Sequence, residues 1–154
     1  MNLQTGTIIA VLVCMICGVA VGIQVTSNTI AGKALGSLPT GLFVNIMGGI
    51  ISILIVLILL LTGRFIDFGL IKDNIGYLTV SGALGLCIIT GIAFSMPRIG
   101  VAAGLAVIIT GQMLIAAIVD SKGLGGVEQI PITPARILGL FLMLVGMWFL
   151  LPKK

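Results

Sequence analysis

Apolar residues run along this chain in five long stretches, and polar residues gather in the gaps between them. The segment from Ile51 to Leu61 reads Ile-Ser-Ile-Leu-Ile-Val-Leu-Ile-Leu-Leu-Leu. A helix of that sequence has no polar face, so it cannot border water as the outer helix of a soluble bundle must. A hydrocarbon core about 30 Å thick needs roughly 20 apolar residues per helix. The pattern predicts an all-α membrane protein with five transmembrane helices, over 7–27, 39–62, 75–95, 101–120 and 134–151.

Local signals mark the ends of these spans. The polar run Thr26, Ser27, Asn28 closes the first, and Pro39 suits the first turn of the second. Met96-Pro97-Arg98 stops the third, Thr133 is placed to cap the fifth before Pro134, and Leu151-Pro152 ends it. Tyr77 and Trp148 lie near span ends, where amphipathic rings settle at the headgroups. The first stretch lacks a basic leader and four more spans follow it, so it reads as a retained helix rather than a signal peptide.

Composition agrees. Of 154 residues 59% are hydrophobic and 8% charged, with mean hydropathy +1.35. Soluble domains carry about 25% charged residues. The whole of 1–154 reads as a single integral membrane domain, with the lipid bilayer as its first partner.

Charge bears on assembly. Five spans put the two termini on opposite sides. The amino-terminal side carries Arg64, Lys72, Lys122 and Arg136; the other carries Lys33, Arg98, Lys153 and Lys154. Orientation normally follows an excess of Lys and Arg in cytoplasmic loops, and here neither side has one. The expectation is insertion both ways up, and an antiparallel dual-topology dimer like the inverted repeats of many transporters. The alternative is one orientation set by hydrophobicity or by Lys153 and Lys154. The net charge of +4 is ordinary interfacial anchoring and gives no reason to expect nucleic acid.

Glycine numbers 22, and much of it falls at helix-packing spacing. Gly18 with Gly22 and Gly100 with Gly104 form G-x-x-x-G pairs, and Gly111 sits beside Gln112. Small residues let helices in lipid approach closely, so these five are the candidate packing positions. Cys14 and Cys17 spell C-x-x-C, but they lie on an apolar helix in a chain without histidine. Thiols there are inert packing groups. No catalytic triad, phosphate loop, metal cluster or paired in-membrane carboxylates occur, so neither an enzyme nor a cofactor is expected.

Polar side chains at depth face a partner or a cavity. The candidates to bind a small-molecule substrate are Gln112, Gln24, Asn45 and Asn28. Gln112 lies eleven residues past Val101, about 16 Å along its helix and near the midplane. Gln24 and Asn28 share one face. At the span end, headgroup contact is the simpler role for Asn28. Asp120 is a candidate for a helix-end ion pair, with Lys122 or Arg136 as its partner, or for a gate.

The run Gly111-Gln112-Met113-Leu114-Ile115-Ala116-Ala117-Ile118-Val119-Asp120-Ser121-Lys122-Gly123-Leu124-Gly125-Gly126 resembles the G-Q…D-x-x-G-x-x-G signature of the YdcZ family, within the drug/metabolite transporter superfamily. Gln24-x-x-x-Asn28, the Pro97-Arg98-Ile99-Gly100 turn and Pro134-Ala135-Arg136-Ile137-Leu138-Gly139 add to the likeness, which covers essentially the whole chain. The resemblance implies a multi-pass protein of the bacterial inner (cytoplasmic) membrane that exports small molecules. It implies a homodimer, or pairing with a homologue of opposite orientation. The layout also looks like that of small multidrug resistance proteins. Those use a glutamate in the first helix, and this first span has no acid. Their proton-coupled mechanism does not carry over. The preferred expectation is a secondary transporter working by alternating access at a dimer interface. A channel-type pore and a non-catalytic membrane subunit are the competing readings.

Overall fold

The computed structural model describes residues 3–63, 68–126 and 128–152. Its helices are α1 (Leu3–Leu35), α2 (Ser37–Leu61), α3 (Phe68–Asp73), α4 (Ile75–Ile99), α5 (Val101–Lys122) and α6 (Pro134–Leu150), with a 3-10 turn at Leu124–Gly126. Among the described residues there is no strand. Four segments among the described residues are long and apolar enough to cross a membrane: Thr7–Leu35, Ser37–Leu61, Ile75–Ile99 and Val101–Lys122. The 17 residues of α6 stand at the short end of the spanning range. The chain forms two compact units, Met1–Pro97 and Arg98–Lys154.

Helix ends depart from expectation in instructive ways. The first helix does not stop at Ser27 but runs on to Leu35. The hydroxyls of Thr26, Ser27 and Thr29 donate to the carbonyls of Gly22, Ile23 and Val25, at 2.9, 3.1 and 2.7 Å. Each polar group is thus satisfied on its own helix, and the polar run need not end it. What ends it is Gly36, at φ 89 and ψ 161, a conformation essentially confined to glycine.

The helix α4 likewise passes through Pro97 and stops only before Gly100, at φ 87 and ψ 153. Expecting a halt at Ser95 gave Pro97 too much weight, because neighbouring helices in membranes accommodate such breaks. The six-residue α3 is too short for periodicity to announce. Arg64, Lys153 and Lys154, three of the eight basic residues in the charge balance, lie outside the described residues.

In the first unit the buried positions cluster near the Gly36 turn. Val25, Asn28 and Thr29 are buried on α1, Thr40 and Gly41 on α2, and Ile92, Ala93 and Met96 on α4. Two glycines permit this packing. A Cβ on Gly32 would lie 2.7 Å from the Ala93 carbonyl oxygen, and one on Gly41 would overlap Thr90 Oγ1. That Ala93 carbonyl is the one whose helical donor Pro97 removes. The Gly32 Cα–H points at it instead, a weak but recurrent helix–helix contact.

The second unit is held by α5 packed on α6. Thr133 caps α6, its side-chain oxygen accepting from the Arg136 N–H at 3.3 Å with Pro134 in the first turn. Such a cap contributes about 1 kcal/mol. At the other end of the connection, α5 closes with Gly123 in the left-handed conformation. The loop then folds back on this end, with the Ile130 N–H donating to Asp120 O at 2.9 Å and Gln129 Nε2 to Ser121 O at 2.8 Å.

Candidate functional site

The first unit contains a layer of polar groups buried among apolar helices. Asn28 lies eight residues before Gly36 and Asn45 nine after it, so both stand roughly 12–14 Å from the turn on antiparallel helices. Asn28 is only 3% exposed. Asn45 donates Nδ2 to the Gly41 carbonyl at 2.8 Å and turns Oδ1 towards Gly85 on α4. Thr90 of α4 presses its hydroxyl against Gly41. Thr29 and Thr40 satisfy their hydroxyls on Val25 and Gly36. Asn28 Nδ2 and Thr90 Oγ1 do not: both are buried without a hydrogen-bond partner among the described residues.

Burial of Asn28 corrects the headgroup role expected for it, since α1 continues past it and the residue sits inside the unit. Gln24, one turn earlier, falls at the edge of that buried stripe and is exposed. The two amides share a helix face in sequence but not an environment. Thr40 and Gly41 escaped sequence reasoning as site residues, while Thr90 stands out in sequence only as one of several in-membrane hydroxyls. The signal that could have found them is Pro97, which frees the carbonyl of Ala93 one turn back and so marks where α4 needs a close neighbour.

In the second unit Gln112 stands at the centre of α5 and is exposed, with no hydrogen bond to another described residue. Further along the same helix, Asp120 Oδ2 accepts from Arg136 Nη2 at 3.3 Å, each side chain about one-third exposed (34% and 37%). Beneath this pair an open, largely apolar cavity of about 240 Å³ lies between α5 and α6. Met113 and Ala116 line it on one side, Gly139 and Met143 on the other.

Of the five expected packing glycines, Gly104 is buried. Gly18, Gly22 and Gly111 have nothing within 4 Å of where a Cβ would stand, and Gly100 serves as the turn before α5. Among the described residues, close approaches that a Cβ would block occur at Gly32 and Gly41. Cys14, Cys17 and Cys87 are free and exposed on their helices. Among the described residues no cluster of potential metal ligands occurs.

No curated protein and no solved structure matches this chain. The profile of a family described as "Putative inner membrane exporter, YdcZ" matches residues 9–149, nearly the full length. With its apolar helices and that match, the chain is a multi-pass inner-membrane protein and belongs to the YdcZ family.

Proposed function

We propose that the protein is a secondary transporter, exporting a small polar or amphiphilic solute by alternating access between two protomers of opposite orientation. One observation carries this reading. An amide in the middle of a membrane-crossing helix, exposed and without a hydrogen-bond partner among the described residues, is Gln112. Hydrocarbon is a poor neighbour for it, so protein or solute must meet it. Gln24 presents a second exposed amide on α1. The family description as an exporter supports the same direction of thought.

The buried layer adds to this. An unsatisfied buried donor or acceptor costs about 1–3 kcal/mol, and the first unit keeps two, on Asn28 and Thr90. A solute with its own donors and acceptors would relieve that cost in a conformation in which these helices part. Asn28 and Asn45 would recognise it by hydrogen bonding, together with Gln24 and Gln112. No carboxylate is needed for such recognition, in keeping with a first helix that has none. Rocking of the two protomers would expose the site to each face in turn.

Reconstitution in liposomes tests the proposal, with a flux screen over small polar metabolites supplying the solute. Gln112→Ala is expected to lower saturable flux by about 10–100-fold, from the loss of roughly 1–3 kcal/mol of hydrogen bonding. The melting temperature should stay unchanged. Undiminished flux would remove Gln112 from the pathway, and non-saturating flux would point to a pore.

A further inference from the structure

The groove between α5 and α6 is built on two matched stripes. Met113, Ala116 and Asp120 recur along one helix face, and Arg136, Gly139 and Met143 along the facing one. Seven residues separate Met113 from Asp120, so the groove is about 10 Å long. Its walls are apolar and its mouth is an ion pair. The mouth lies at a helix end, Asp120 two residues before the close of α5 and Arg136 in the first turn of α6. The groove therefore starts at headgroup depth and points into hydrocarbon. Its width comes from a residue that packs against nothing: a Cβ on Gly139 would meet no atom within 4 Å.

We propose that this groove is a binding site for a zwitterionic phospholipid with a primary ammonium headgroup, of the phosphatidylethanolamine type. An acyl chain fills the space over Gly139 and between the two methionines, whose flexible thioethers adapt to it. The headgroup meets both members of the ion pair. Arg136 has five N–H donors in a fork suited to phosphate, and Asp120 takes one of them at 3.3 Å. The Asp120 carboxylate accepts from the ammonium, which offers three donors. A purely anionic head would sit against Asp120 and a purely cationic one against Arg136. Only a head carrying both charges complements a mouth in which both are about one-third exposed. This site is independent of what the protein transports.

The full-length protein in detergent, titrated with dioctanoyl phosphatidylethanolamine and followed by native mass spectrometry, provides the test. Dioctanoyl phosphatidylglycerol is the anionic comparison. The ethanolamine lipid should bind about tenfold more tightly than the glycerol lipid, as one charge-assisted hydrogen bond implies. Gly139→Leu should lower ethanolamine-lipid affinity about tenfold by filling the groove. The open space at Gly139 means that this variant should melt like wild type, and Gly139→Ala serves as a milder second variant. Asp120→Asn should bring the two lipids to within about twofold of each other. Equal binding of both lipids by wild type, or binding unaffected by either Gly139 variant, would overturn the site in favour of a non-selective lipid annulus. Dissociation of a dimer on Gly139→Leu would overturn it in favour of a second copy. No arm reads flux, so failure here leaves the transport reading where it stands.

Discussion

Gly41→Ala is expected to destabilise the first unit by about 1–3 kcal/mol, the usual cost of forcing extra volume into a packed interior. The added methyl would occupy the place of Thr90 Oγ1 and press on Thr90 Cβ and Cα at 3.0 and 3.2 Å. Rotating Thr90 about χ1 removes only the first of these contacts. The helices α2 and α4 must then part where Thr40, Gly41 and Ala93 are buried. Thermal unfolding in detergent should show a clear fall in melting temperature. Adding Thr90→Ala should recover part of the loss, since the hydroxyl goes and the Cβ stays. The decisive result is this coupling. If Gly41→Ala were silent, or if Thr90→Ala gave no recovery, the two helices would not meet here.

Gly32→Ala should be at least as damaging, by about 1–3 kcal/mol or more, and with no comparable rescue. Here the obstacle is main chain. A Cβ on Gly32 would stand 2.7 Å from the carbonyl oxygen of Ala93, 2.9 Å from its Cβ and 3.1 Å from its Cα. Truncating Ala93 to glycine removes one of the three and leaves the oxygen in place. Relief requires α1 to withdraw from α4, which uncovers the freed carbonyl below Pro97 and the buried Asn28. Pairing Gly32→Ala with Ala93→Gly should therefore regain little stability in the same melting assay. A full recovery would mean that the side chain, not the carbonyl, sets the distance between these helices.

Which features of the fold and the site are legible in the sequence divides along physical lines. Helix existence was legible because lipid imposes it: hydrocarbon leaves a spanning segment no backbone hydrogen-bond partner but itself. Each of the five apolar stretches is occupied by a helix, and among the described residues four of these are long enough to cross a membrane while α6 is shorter. The Thr133 cap was legible too, because it depends only on neighbours in sequence. The end of α1 was misplaced because Thr26, Ser27 and Thr29 read as polar, whereas back-bonding to the previous turn lets a helix carry them through.

Packing was the least legible. The spacing that singled out Gly18 and Gly22 joins Gly32 only to Gly36 at the turn, and Gly41 has Ser37 rather than glycine four residues before it, so glycine spacing alone does not say which small residue meets a neighbour. Depth along a helix could be counted, which placed Gln112 at the centre of its span. Direction around the helix could not, so Asn28 and Gln24 share a face in sequence although one is buried and the other exposed. The Asp120–Arg136 pair was legible because few charges exist and both stand at helix ends facing one short connection.

Gly36 and Gly100 join long helices through a single residue, with closely similar backbone angles. Links this short contain no spare chain. They offer no room for a protease to engage, for an epitope to be spliced in, or for lineages to add length. Spare chain lies instead in the stretches that follow α2 and α5.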